Sequence, residues 1–174
     1  RIGFIKILKK MNANIKIKKI KRSASSGELI GSIVVNSSKL KAVSISKDTA
    51  KFIDEIPILA MCASLAKGIT KFNNVGELKH KESDRLLQVK KILIQAGIKC
   101  QTTKNSMKIY GQSKIISKNK SISVGNLNDH RLCLSSAVYS LATGIKTKIK
   151  NFENVNTSFP NFVYLINLLG GKII

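Results

Sequence analysis

A chain of 174 residues, 43% hydrophobic and 23% charged, has the make-up of one globular domain and is long enough to bury a substantial core. Its 31 Lys+Arg against 9 Asp+Glu give a formal charge of +22, which excludes an acidic tail or a neutral scaffold. That charge favours anionic partners such as nucleic acid, phosphorylated metabolites or a membrane surface.

The chain opens Arg-Ile-Gly with no basic region followed by an apolar one. The expectation is a removed start or a piece of a longer chain, without a visible secretory signal. Residues 4–17 (FIKILKKMNANIKI) predict an amphipathic helix, a break at Asn12 or Asn14, and an alternating strand. Residues 23–27 (SASSG) are a loop too short to link domains, and residues 28–45 carry a pair of strands with period-two stretches. Residues 54–75 read as an acid, an apolar helix, Ala-Lys-Gly, and a strand ending Asn-Asn-Val. Residues 86–100 repeat the first helix–strand unit with a glycine closing the helix, and residues 104–124 hold a second strand pair. Residues 129–155 repeat the acid, apolar helix, Ala-Thr-Gly and strand, and residues 162–174 form a third helix–glycine–strand unit. The helices around Ala60 and Val138 are apolar nearly all round and should be deeply buried; the Lys-rich helices carry one apolar stripe and should lie nearer the surface. The order helix–strand–strand–strand–helix–strand recurs with a period of roughly 75 to 85 residues. The fold class is α/β (α+β), built of repeated modules whose first begins at a helix. No stretch approaches the ~18 uncharged apolar residues of a membrane span.

Within the charge, lysine dominates: 27 Lys against 4 Arg, beside 25 Ile and no Trp. A bias toward Lys, Ile and Asn therefore accounts for most of +22, and the exceptions carry the information. Arg85 and Arg131 sit inside dense polar clusters, where a planar bidentate donor for carboxylate or phosphate suits the chemistry. Five of the nine acids (Asp54, Glu55, Glu77, Glu82, Asp84) fall between positions 54 and 84, and Asp129 lies two residues before Arg131. Cys62, Cys100 and Cys133 are odd in number and widely spaced, as reduced structural thiols of a cytoplasmic protein are. Two histidines and no Cys-x-x-Cys give no zinc pattern, so no metal ligand is assigned.

Four polar clusters stand at predicted helix starts. In Glu77-Leu-Lys-His-Lys-Glu-Ser-Asp-Arg85, Ser83 or Asp84 can cap the helix. Lys81 and Arg85 there suit an anion at a helix N-terminus. Glu82 is either their ion-pair partner or a general acid/base poised by them. In Asn126-Leu-Asn-Asp-His-Arg131, Asp129 can cap, Arg131 can meet an anion, and His130 is either a base or structural. In Ile53-Asp54-Glu55-Ile56-Pro57, proline suits the first helical turn, and Asp54 is either a cap or a general base. Asn156-Thr-Ser-Phe-Pro160 is another helix start with hydroxyl caps. All four starts could converge on one face.

The segments IDEIPILA (53–60), GELKHKESDRL (76–86), NDHRLCLSSAVYSL (128–141) and TSFPNF (157–162), in this order and spacing, resemble the C-terminal part of the EPSP synthase (3-phosphoshikimate 1-carboxyvinyltransferase) family. The resemblance extends over essentially the whole chain and includes its opening, RIGFIKILKKMNANI. It implies the enolpyruvyl transferase fold, two similar domains of βαβαββ modules, with this chain (1–174) the C-terminal part of one domain and the N-terminal part absent. It implies a transfer of the enolpyruvyl group from phosphoenolpyruvate to the 5-hydroxyl of shikimate 3-phosphate with release of phosphate, in the chorismate and aromatic amino-acid pathway, without metal or organic cofactor. By the same resemblance, Asp54 contacts that hydroxyl and accepts its proton. Lys81 contacts shikimate 3-phosphate, Glu82 is the second acid/base carboxylate, at the phosphoenolpyruvate methylene, and Arg85 and Arg131 hold phosphoenolpyruvate.

The chain departs from parts of the family at Thr157, where one branch has a lysine, and at Glu77, where some members have Asn. The family's N-terminal Lys-Ser-Arg group is also absent, so the isolated chain is expected to bind weakly and not turn over. The full-length form is expected to be a monomer with no nucleic-acid or membrane partner. Two other functions compete: the related transfer to UDP-N-acetylglucosamine on the same fold, and a basic nucleic-acid-binding module. Against the latter stand aromatics at only 5%, no basic–aromatic strand motif, and lysines dispersed along the chain.

Overall fold

The computed structural model describes residues 2–114, 119–125 and 128–173. Residues 115–118 of the expected second strand pair, Asn126 in the second polar cluster, and Ile174 of the expected last strand lie outside these. Helix α1 (Gly3–Lys10) buries Ile7, and Asn12 makes the break after it in a left-handed conformation (φ 69°). Strand β1 (Asn14–Arg22) then pairs antiparallel with β2 (Leu29–Asn36). The chain continues through β3 (Ser44–Ile45), a 3₁₀ helix (Thr49–Glu55), α2 (Ile56–Ser64) and β4 (Gly68–Asn73). After a second 3₁₀ helix (Gly76–His80) come α3 (Arg85–Gln95), β5 (Cys100–Thr102), β6 (Ser106–Gly111) and β7 (Ser121–Val124). Helix α4 (His130–Thr143), β8 (Lys146–Ile149), a third 3₁₀ helix (Phe152–Thr157) and α5 (Phe162–Leu168) complete the order. The expected recurrence of elements is therefore present twice.

Elements β3–α2–β4–α3–β5–β6 make one whole βαβαββ module. Its sheet has the order β3-β4-β6-β5, parallel between β3 and β4 and antiparallel elsewhere. α1–β1–β2 has the form of the end of such a module, and β7–α4–β8–α5, with β7 and β8 parallel, that of the beginning of another. The strands in 28–45 do not pair with each other. β2 bonds back to β1, while the chain after it crosses to the next sheet, where Ala42 N–H donates to the Lys67 carbonyl and β3 joins β4.

Helix α2 is buried over most of its surface, close to what its sequence requires: Ile56, Leu59, Ala60 and Ala63 are fully covered between the four-stranded sheet, α3 and α4, and Ile58 and Cys62 stay part-exposed. Gly111 ends β6 so close to the carbonyls of Ala63 and Ala66 that any Cβ would collide with them. Helix α4 departs from expectation. Leu132, Cys133, Ala137 and Tyr139 are buried, but Val138 and Leu141 are 39% and 42% exposed, because no described element covers that side. The expected last strand is also not formed over 171–173. Gly170 (φ 85°) and the bond from Gly171 N–H to the Ile166 carbonyl close α5, and no described strand lies alongside to complete a ladder. Burial pushes each of the three unpaired thiols up to about 11, which fits their structural reading. No helix among the described residues is long and apolar enough to cross a membrane.

Candidate active site

Three of the four polar helix starts meet. Asp54 is the last but one residue of the 3₁₀ helix ahead of α2, whose cap position is Glu55 with no side-chain capping bond. The Asp54 carboxylate is thus not a cap and turns toward cations. Its Oδ1 lies 3.4 Å from Lys81 Nζ and 3.2 Å from Arg85 Nη1, and its Oδ2 lies 3.8 Å from Arg131 Nη2. Lys81, just past the second 3₁₀ helix, also pairs with Glu77; the acid at that departure from the family pattern thereby has a local partner.

Arg85 begins α3, where Asp84 rather than Ser83 is the cap, its Oδ1 accepting from Leu87 N–H at 2.9 Å. The Arg85 side chain is only 1% exposed. Its Nε donates to Asp129 Oδ2 at 2.9 Å, and its Nη2 to Asp129 Oδ1 at 3.2 Å and Glu82 Oε2 at 2.5 Å. Nη1 donates to Asp54 Oδ1, so carboxylates take four of the guanidinium's five N–H groups. Asp129 is the expected cap of α4, accepting from the backbone N–H of Arg131 at 3.1 Å and of Leu132 at 3.3 Å, and also from Ser83 Oγ at 2.9 Å. Arg131 is held more loosely: its Nη1 donates to the Asp54 carbonyl at 3.4 Å and stands 3.5 Å from Glu55 Oε1.

All five sequence-predicted residues, Asp54, Lys81, Glu82, Arg85 and Arg131, therefore stand in one network. The fourth start does not join it. Thr157 Oγ1 and Ser158 Oγ donate back to the carbonyls of Asn154 and Val155, and α5 begins beyond them at Asn161 without a side-chain cap. These hydroxyls satisfy the end of a 3₁₀ helix, a demand that the sequence alone does not disclose. In the sequence, Glu55 belongs to the acidic stretch, Asp129 is a cap candidate, and Glu77 is an acid at a departure from the family pattern. The scarcity of acids in a lysine-rich chain is the signal that singles them out.

Five acids (Asp54, Glu55, Glu77, Glu82, Asp129) face three cations (Lys81, Arg85, Arg131), so the cluster is formally anionic on a chain of +22. Burial pushes the Asp54 carboxyl up, but Arg131, Lys81 and Arg85 outweigh it and hold the group below its ordinary value. Burial likewise opposes the charge on Asp129, and its bonds from Arg85 and Ser83 hold it below the ordinary value as well. Asp54 is thus an ionised carboxylate, 35% exposed, and Glu82 lies on the open side of the Arg85 guanidinium. A hollow of about 190 Å³ lies beside Asp54, Glu55 and Arg131, walled by Ile58, Leu134 and Val138. Another hollow, about 620 Å³ between the end of α4, β8 and residues 170–173, contains none of these charged residues.

The EPSP synthase (3-phosphoshikimate 1-carboxyvinyltransferase) family model matches residues 1–165. The 3-phosphoshikimate 1-carboxyvinyltransferase of Clostridium tetani is 43% identical over 163 residues, 92% of this chain and 36% of the relative. That of Caldicellulosiruptor saccharolyticus is 38% identical over 167 residues, 95% of this chain and 37% of the relative. Among solved structures, EPSP synthase from Acinetobacter baumannii superposes with a TM-score of 0.87 at 32% identity, covering 97% of this chain and 38% of that one. The enolpyruvyl transferase NikO from Streptomyces tendae, at 15% identity and a TM-score of 0.65, shares the fold. This chain spans a little over a third of the length of the curated relatives it matches. With matches that take in nearly all of its residues, the chain belongs to the EPSP synthase (3-phosphoshikimate 1-carboxyvinyltransferase) family.

Proposed function

We propose that this chain is the C-terminal part of one domain of an enzyme that moves the enolpyruvyl group of phosphoenolpyruvate onto the 5-hydroxyl of shikimate 3-phosphate, on the route to aromatic amino acids. The observation that carries this reading is the convergence of Asp54, Lys81, Glu82, Arg85 and Arg131, spread over 77 positions of sequence between Asp54 and Arg131, in one network of ion pairs. Asp54 takes the proton of the 5-hydroxyl as its oxygen bonds to the central carbon of phosphoenolpyruvate. A proton is delivered to the methylene carbon, giving a tetrahedral intermediate. Phosphate then leaves with its bridging oxygen, and the methyl group loses a proton to restore the double bond. Glu82 serves these methylene and methyl proton transfers. Lys81 faces shikimate 3-phosphate, and Arg85 and Arg131 orient phosphoenolpyruvate and neutralise its charge.

The names of the relatives favour this acceptor over UDP-N-acetylglucosamine and favour an enzyme over a nucleic-acid-binding module. The anionic balance of the cluster adds a condition: two polyanionic substrates need cations from outside it, and the family resemblance puts such cations in the N-terminal Lys-Ser-Arg group. Phosphate release should therefore require the full-length polypeptide carrying this chain, and Glu82→Gln there should lower kcat by about 10²- to 10⁴-fold. Turnover by the isolated chain would remove the need for the rest of the polypeptide, and release supported by UDP-N-acetylglucosamine and not by shikimate 3-phosphate would overturn the proposal.

A further inference from the structure

We propose that Asp129 is a positioning residue that fixes the two substrate-facing arginines together, holding Arg85 by its side chain and Arg131 by the start of its helix. This rests on the reading that Arg85 and Arg131 hold phosphoenolpyruvate. Asp129 is fully buried, and its two oxygens accept from Ser83 Oγ, Arg85 Nε, Arg85 Nη2 and the backbone N–H groups of Arg131 and Leu132. An N-cap needs only the last two. The remaining three bonds tie α3 to α4 across a sequence separation of 44 to 46 residues.

The bonding pattern divides Arg85 into a fixed edge and an exchangeable one. Nε and one Nη2 hydrogen are taken by Asp129, a carboxylate with no exposure. The other Nη2 hydrogen and Nη1 are taken by Glu82 and Asp54, carboxylates 45% and 35% exposed. An incoming carboxylate or phosphate can displace the exposed pair, while Asp129 is shut in and stays. Displacement also frees Glu82 and Asp54 from Arg85 for proton transfer. A guanidinium anchored on one edge presents the other with little orientational freedom left to lose, which is what bidentate recognition requires.

The test uses the full-length polypeptide with Asp129→Asn and Asp129→Ser. Both residues cap helices well, so helix α4 keeps its start while Arg85 loses its charged anchor. The KM for phosphoenolpyruvate should rise at least tenfold, with that for shikimate 3-phosphate within twofold. Equal changes in both constants, or a fall in Tm with the phosphoenolpyruvate KM unmoved, would reduce Asp129 to a structural cap and overturn the proposal. Arg85→Lys separates the two levels. An unmoved phosphoenolpyruvate KM in Arg85→Lys sinks the underlying reading, whereas a raised one beside a normal Asp129→Asn sinks only the role of Asp129. Should the Asp129 variants not fold, the wild type decides by NMR, with the Arg85 Nε–H signal assigned through its loss in Arg85→Lys. That hydrogen should stay protected from solvent exchange both with and without phosphoenolpyruvate, and loss of protection on binding would refute a fixed edge.

Discussion

The β1–β2 hairpin and the cluster at the starts of α2, α3 and α4 use charge in opposite ways. The hairpin carries Lys16, Lys18, Lys19, Lys21 and Arg22, with every residue of its two strands exposed except Ile15. Its cations make no ion pair among the described residues. Ile20, Leu29, Ile33 and Val35 stand more than half exposed beside them. In the cluster every cation touches at least two acids, and Arg85 and Asp129 are withdrawn from water altogether. A charge in water interacts weakly with anything a few ångströms away, while the same charge out of water depends on its partner. The net charge of the chain therefore says little about its chemistry. The few charges that have lost their hydration carry it.

Removing one cation from each region gives the largest contrast. Arg85→Ala strands Asp129 in a buried site without its counter-charge, and should cost about 3–5 kcal/mol of stability. A hairpin lysine exchanged for Gln should cost no more than about 0.5 kcal/mol. Urea denaturation of the two variants measures both. A small loss in Arg85→Ala would mean that Asp129 finds other donors, and the contrast between the regions would collapse.

Acid should act through the same residues. Asp54 and Asp129 have folded-state values below the ordinary aspartate range, so the unfolded chain takes up protons first as pH falls. Their contribution to stability is complete above the unfolded aspartate value of about 3.9. It is lost as pH drops through the lower folded values. Asp129, with no exposure, should dominate this loss, and the partly hydrated Asp54 should add less. Asp129→Asn is expected to flatten the stability curve below pH 5 relative to wild type, and thermal melts from pH 7 down to pH 3 would show it. Parallel curves for wild type and variant would place the acid sensitivity elsewhere.

Much of this arrangement was legible in the sequence because it rests on local rules. The helix–break–strand grammar follows from hydrophobic period and turn residues, and the duplicated order of elements follows from its recurrence. Asp84, Pro57 and Asp129 announced their helix starts by residue type. What escaped depends on neighbours distant in the chain. Residues 28–45 show two strands by their alternation, but nothing in it says that they belong to different sheets. Val138 has the pattern of a core residue and stands open because no described element covers it. Asp54 reads equally as a cap or a base until Lys81, Arg85 and Arg131 are placed around it. Thr157 and Ser158 have the chemistry of caps, yet a turn three residues earlier already claims their hydroxyls.

The smallest expected effect tests the other side of the comparison. Lys16, Lys18 and Lys21 stand exposed on β1, and replacing all three by Gln lowers the charge of the chain by three. If their charge is the product of compositional bias, KM for phosphoenolpyruvate and for shikimate 3-phosphate should stay within twofold in the full-length polypeptide. Retention on an immobilised polyanion should still weaken, because each phosphate contact contributes a slope of about −0.7 to −0.9 in log K against log salt, whatever the sequence bound. The two readouts separate attraction from recognition. A rise above threefold in either KM would bring the hairpin into the substrate field, and the division between solvated and networked charge would have to be redrawn around it.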